Sequence, residues 1–160
     1  MTDNSDNAPP EAAGYPVTLR LAGRSVLVAG GGRIAARRVE RLLKTGARVV
    51  VIAPDVLPAL SEAGGAGALV WHCREVREAD VAGMQLVFAA TDDSSVNDQL
   101  ARAARRQGIW VQRADAAEDS DFLVPALVER GPLQIAISSA AAAPSLTRRV
   151  RAHIETLTPR

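Results

Sequence analysis

The sequence has 160 residues, 48% hydrophobic and 23% charged, a globular composition that excludes a wholly disordered or collagen-like chain. Its 19 Lys and Arg against 18 Asp and Glu, with 3% aromatic residues, give no global field or stacking surface for nucleic acid, and the single Cys73 excludes an internal disulfide. No apolar run approaches the roughly 20 residues that span a bilayer, and the polar opening residues lack a signal-peptide core, so a cytoplasmic protein with no membrane partner is expected.

Residues 1–14 read as a flexible tail and residues 15–21 as a short lead-in. Residues 24–30 (RSVLVAG) are a short apolar run closed by glycine, the pattern of a buried parallel strand. Residues 33–45 place Ile34, Ala35, Val39, Leu42 and Leu43 on one helical face, with Arg37, Arg38 and Arg41 covering the exposed one. Residues 48–53 form a second buried strand, broken by Pro54, so strand, helix and strand make a βαβ unit. The rhythm repeats through a short helix at 57–63 and strands at 69–72 and 85–90. A helix capped by Ser94 or Ser95 follows, ended by Gly108, and then a strand at 109–112. Trp71, Trp110 and Met84 read as core. After residue 115 the pattern becomes two strands around Glu129-Arg-Gly-Pro and a helix from Pro144 striped by Leu146, Val150, Ile154 and Leu157. The expected architecture is α/β: a Rossmann-like doubly wound parallel sheet over 15–115, then a hairpin-plus-helix segment over 116–160. That segment is too small to bury its own core, and a second copy of the chain packing on it makes it a dimerisation segment.

Gly30-Gly-Gly-Arg-Ile-Ala35 fits G-x-G-x-x-A directly after a strand and opening a helix. In that context Gly30 allows the turn, Gly32 admits a pyrophosphate against the backbone, and Ala35 permits close packing of helix on strand. The helix N-terminus offers unpaired N–H groups to phosphate. An acid is expected about 20 residues on to hold the ribose hydroxyls, and Asp55, past the second strand, is the candidate, favouring NAD. His72, Cys73 and the remote His153 do not supply the ligand spacing of a structural metal site, and none is expected.

Residues 24–54, 89–97 (AATDDSSVN), 120–132 (SDFLVPALVERGP) and 135–149 (IAISSAAAAPSLTRR) resemble the siroheme-synthase N-terminal region, the precorrin-2 dehydrogenase/sirohydrochlorin ferrochelatase family. The resemblance covers about residues 15–158. It implies a homodimer that binds NAD and oxidises precorrin-2 to sirohydrochlorin, with ferrous iron, Fe2+, inserted afterwards by some members. It implies cofactor contacts at Gly30, Gly32, Arg33, Ile34, Pro54, Asp55, Thr91 and Asn97. The family's key carboxylate aligns with Asp115, within Gln112-Arg-Ala-Asp115, and doubly wound sheets place their chemistry at such strand ends. Asp115 is therefore the catalytic candidate, assisting the proton that leaves with the hydride.

Precorrin-2 carries carboxylates, so basic side chains should line its pocket. Arg113, Arg148 and Arg149 are the candidates, with Ser138 and Ser139 beside them; Ser139 aligns with a serine modifiable in some relatives. The sequence departs from the family pattern on this side. Ala140 and Ala141 stand where glycines are frequent, Ala143 replaces the serine before proline, and Arg113 replaces an apolar residue. Those departures motivate an alternative, a catalytically impaired NAD- or tetrapyrrole-binding module; a regulatory domain of a transporter is a third reading. The helical domain and the methyltransferase domain of longer relatives are not expected in this chain.

Overall fold

The computed structural model describes residues 14–139 and 143–157, so the expected tail lies almost wholly outside the described residues, as do Ala140 and Ala141. The described chain forms two compact units, Leu19–Leu123 and a smaller one built mainly from Val124–Arg160.

In the first unit β1 (Ser25–Ala29), β2 (Arg48–Ile52), β3 (Val70–His72), β4 (Leu86–Ala89) and β5 (Trp110–Arg113) make one parallel sheet in the order β3-β2-β1-β4-β5. That order reverses direction at β1 and β4, the doubly wound topology expected. The central strands are continuous apolar runs, VLVA, VVVI and LVFA, because helices cover the sheet. Helix α1 (Arg33–Leu43) buries Ala35, Val39 and Leu42 against it. Helix α3 (Ser94–Arg106) buries Leu100 and the small Ala101, Ala103 and Ala104, which let it approach closely. A shorter helix, α2 (Pro58–Gly65), and a 3₁₀ turn at Glu78–Val81 complete the unit. The 3₁₀ turn is invisible to periodicity because it is a single turn; Asp80 holds it by accepting from Arg77 N–H at 2.8 Å and from both Arg74 Nη atoms at 2.8 and 2.7 Å.

Four details differ from expectation. The cap of α3 is Asp93, whose Oδ1 accepts from Ser95 N–H at 2.8 Å, rather than either serine. Trp110 is 52% exposed because it opens an edge strand. Arg38 is half-buried, with its guanidinium 5.9 Å from the Phe88 ring centroid, instead of lying in solvent. The first unit also extends past residue 115. Asp121 N–H donates to Val111 O at 2.9 Å, its Oδ2 accepts from Val111 N–H at 2.9 Å, and Ser120 Oγ accepts from Arg113 N–H at 3.0 Å. The outward backbone groups of β5 are thus satisfied by side chain and loop where a sixth strand would lie. Phe122 packs edge-on against Phe88 with centroids 5.4 Å apart.

In the second unit β6 (Ala126–Arg130) pairs antiparallel with β7 (Leu133–Ile137) around Gly131-Pro132, and α4 runs over Pro144–Leu157. Val128 is its one buried residue among those described. The stripe read from the sequence is present on α4, yet Leu146 is 54% and Leu157 67% exposed.

Candidate functional site

The C-terminal ends of β1, β2 and β4 open onto a cleft of about 670 Å³, lined among others by Gly30, Gly32, Pro54, Asp55 and Thr91. The glycine turn is fixed by close backbone approaches. Gly30 has φ 114°, and a Cβ there would lie 2.2 Å from Ala90 O. A Cβ on Gly31 would lie 2.0 Å from Asp55 O, and Gly31 O accepts from Leu57 N–H at 3.0 Å, so this turn and the exit of β2 are locked together. The motif treats Gly31 as a free position; only the packed structure shows its constraint. A Cβ on Gly32 would meet nothing within 4 Å, leaving open space beside the backbone at the start of α1. The first α1 hydrogen bond from that turn is Ala36 N–H to Gly32 O at 3.0 Å, so the preceding N–H groups lie ahead of the helical ladder. A dinucleotide fits these residues: glycine backbone open at one point, helix N–H donors beside it, and a cleft of cofactor size. Arg33 and Ile34 stand exposed in the first turn of α1, Ile34 on the outside and not on the packed face expected for it.

The cleft is lined further by the β4 exit, Ala90–Asp93, where Thr91 was expected, and by Glu75 and Val76, which the sequence did not single out individually. Asn97 sits behind that lining at 0% exposure. Its Oδ1 accepts from Thr91 N–H at 3.1 Å and Thr91 Oγ1 at 2.8 Å, while its Nδ2 donates to Thr91 O at 3.1 Å. Its carboxamide is committed to shaping Thr91, which itself lines the cleft. On the far side Trp71 Nε1 donates to Ala53 O at 3.1 Å and Cys73 Sγ to Pro54 O at 2.9 Å, tying the β2 exit to β3.

Beyond the cleft, at the exit of β5, Arg113 is 8% exposed and all five of its side-chain N–H groups have partners. Nε and Nη2 reach the two oxygens of Asp115 at 3.3 and 3.0 Å, and Nη2 also meets Ser94 Oγ at 3.1 Å. Nη1 spans Asp98 at 3.4 Å and Asp119 at 2.8 Å. Arg113 therefore serves the chain's own carboxylates, where the sequence reading assigned it to substrate. Its fork, chiefly, holds the Asp115 carboxyl down at about 2, with a further hydrogen bond from Ser94. Ser94 opens α3, so Asp115 is tied to the helix whose preceding residues, Asp92 and Asp93, line the cleft.

Ser138, Ser139, Arg148 and Arg149 belong to the second unit. Ser139 Oγ accepts from Ala143 N–H at 3.2 Å and Thr147 Oγ1 at 2.9 Å, anchoring the start of α4. Arg148 and Arg149 are exposed on α4. Among the described residues no helix is long and apolar enough to cross a membrane.

Residues 17–126 match the family described as putative NAD(P)-binding, and residues 130–157 match the sirohaem biosynthesis protein central family. Siroheme synthase of Nitrosococcus oceani is 41% identical over 144 residues, and that of Methylobacillus flagellatus 42% over 144. Each alignment takes in 90% of this chain, which spans only 31% of either relative's length. Among solved structures, that of "SirC, precorrin-2 dehydrogenase" matches at 35% identity with a TM-score of 0.80, over 91% of this chain and 71% of that one. The likeness thus runs along nearly the whole chain, which belongs to the enzyme family of the siroheme-synthase N-terminal region and precorrin-2 dehydrogenase.

Proposed function

We propose that the chain oxidises precorrin-2 to sirohydrochlorin with NAD as hydride acceptor. The observation that carries this reading is the cleft itself: a backbone cradle open at Gly32 and closed at Gly30 and Gly31, at the carboxyl ends of the strands. The substrate class comes from the likeness to the SirC dehydrogenase. When bound, the cofactor supplies a nicotinamide ring that takes up a hydride.

NAD is favoured over NADP by charge. Asp55, Glu75, Asp92 and Asp93 line the cleft, and no Lys, Arg or His is among its described lining residues. Asp55 accepts from ribose hydroxyls, whereas a 2′-phosphate meets like charge there. Asp115 is ionised throughout the working pH range. A carboxylate so acidic is a weak proton acceptor near neutrality, so its contribution is electrostatic: it stabilises the positive charge that develops on the macrocycle as the hydride leaves to the nicotinamide, and the macrocycle's proton is then released to water. This reading gives Asp115 the part of charge stabiliser in place of the proton acceptor expected from the sequence. The unburied stripe of α4 is covered by a second copy of the chain, giving a homodimer.

Anaerobic mixing of precorrin-2 and NAD tests the reading: NADH appears together with the spectrum of the oxidised macrocycle, and Asp115→Asn loses turnover while keeping NAD affinity. A second trace with ferrous iron as co-substrate reads metal insertion separately. Full saturation of Arg113 by carboxylates and a hydroxyl favours the second reading, a binding module without turnover, which is established if NAD binds and the macrocycle spectrum stays unchanged.

A further inference from the structure

We infer that Arg113 is a positioning residue, whose two-pronged contact holds the Asp115 carboxylate in one orientation at the exit of β5 and so sets the acid limit of the reaction. The inference rests on the role proposed for Asp115. It deepens that role with a residue that departs from the apolar pattern of the resembled family.

The geometry is that of a hub. Arg113 is buried, and its planar fork meets both oxygens of Asp115, at 3.3 and 3.0 Å, which removes the freedom of that carboxylate to rotate. The same guanidinium is braced from two further directions, by Asp98 and Ser94 on α3 and by Asp119 on the loop beyond Asp115. The bracing carboxylates have cations of their own: Asp98 pairs with Arg102 at 2.9 Å, and Asp119 with Arg105 at 2.8 Å. Arg105 in turn binds Asp121 at 2.8 Å. The charged groups facing Asp115 are therefore Arg113 directly and Asp98 and Asp119 through it, with Ser94 as the neutral donor.

Three carboxylates converge on one guanidinium, so its removal does more than free Asp115. Asp98 and Asp119 would keep Arg102 and Arg105 but lose the cation they share with Asp115, so loss of the fork, desolvation and the nearby like charges all push the Asp115 carboxyl upward. In the native chain that carboxyl lies at about 2. Without Arg113 it returns to or above the ordinary aspartate value of about 3.9, inside the range where the reaction can be assayed.

The experiment measures kcat for precorrin-2-dependent NADH formation from pH 8 downward in the full chain, together with NAD affinity and a carbon-13 NMR titration of the Asp115 carboxyl. Native protein is expected to show no acid limb above the pH at which it unfolds. Arg113→Met is expected to bind NAD as before and to develop an acid limb about 2 pH units above the native carboxyl, with the NMR titration moving in step. Arg113→Lys keeps the cation and loses the fork, so its limb stays low while kcat falls. An Arg113→Met protein that binds NAD but has the native pH profile and native Asp115 titration overturns the inference. If Asp115→Asn turns over normally, the role of Asp115 fails instead; the NMR titration still decides whether Arg113 controls that carboxyl.

Discussion

The two units of this chain solve the burial problem differently. The Leu19–Leu123 unit sinks whole strands, with β4 buried at all four positions and Leu27, Leu100 and Val111 shielded from solvent. The Val124–Arg160 unit has the same kind of apolar residues at helical spacing on α4 and buries none of them. The difference is one of layers: a sheet between helices finishes its own core, whereas one hairpin and one helix make too few. The glycine cleft and the Arg113–Asp115 cluster lie entirely in the unit with the finished core.

The sharpest way to break this contrast is a cavity in each unit. Leu100→Ala should cost about 2 to 5 kcal/mol in the unfolding of the first unit, followed by tryptophan fluorescence, because both tryptophans, Trp71 and Trp110, lie there. A small loss would mean that the first unit relies on outside contacts as well. Leu146→Asp with Val150→Asp should leave that tryptophan transition in place and convert the sedimenting species to a monomer with NAD affinity unchanged. A dimer surviving both changes would remove α4 as the interface. Gly31→Ala drives a methyl into Asp55 O and should weaken NAD binding by about 10-fold or more in calorimetry. Asp121→Asn removes the charge that pairs with Arg105 and alters the acceptor for Val111 N–H, and should lower the first unit's stability by about 1 to 3 kcal/mol.

The smallest effect is that of acid. Asp80, Asp93, Asp115 and Asp119, all in the first unit, have carboxyls held below the usual range, by Arg74, Ser95, Arg113 and Arg113 respectively. The unfolded chain therefore binds protons before the folded one does, and the stabilisation is complete above about pH 4 and lost as pH falls toward 2. A thermal midpoint of the tryptophan transition that stays flat from pH 5 to about 3 would show these bonds to be energetically idle.

Much of the fold was legible because periodicity and punctuation agree with packing. The apolar runs of β1, β2 and β4 fall where alternation is absent, and the glycine turn stands between strand and helix. What was hidden depends on partners distant in sequence. Nothing local marks Gly31 as pressed against Asp55, or Asn97 as spent on Thr91. Arg113 reads as a spare cation until Asp98 and Asp119 are brought around it by α3 and the loop. The 120–132 string stood out for its resemblance, and the physical work of its first three residues, sealing β5 and packing on Phe88, became visible only in three dimensions.

That seal has a consequence for the protein in a crowded solution. A parallel sheet left open at its rim is a template on which other chains can polymerise. In this unit one rim is occupied by Asp121 and Ser120 and the other is a strand of only three residues, so neither presents a long ladder for recruitment. Self-association is thereby steered away from the sheet, and stripping off the 120–122 segment would expose the β5 ladder.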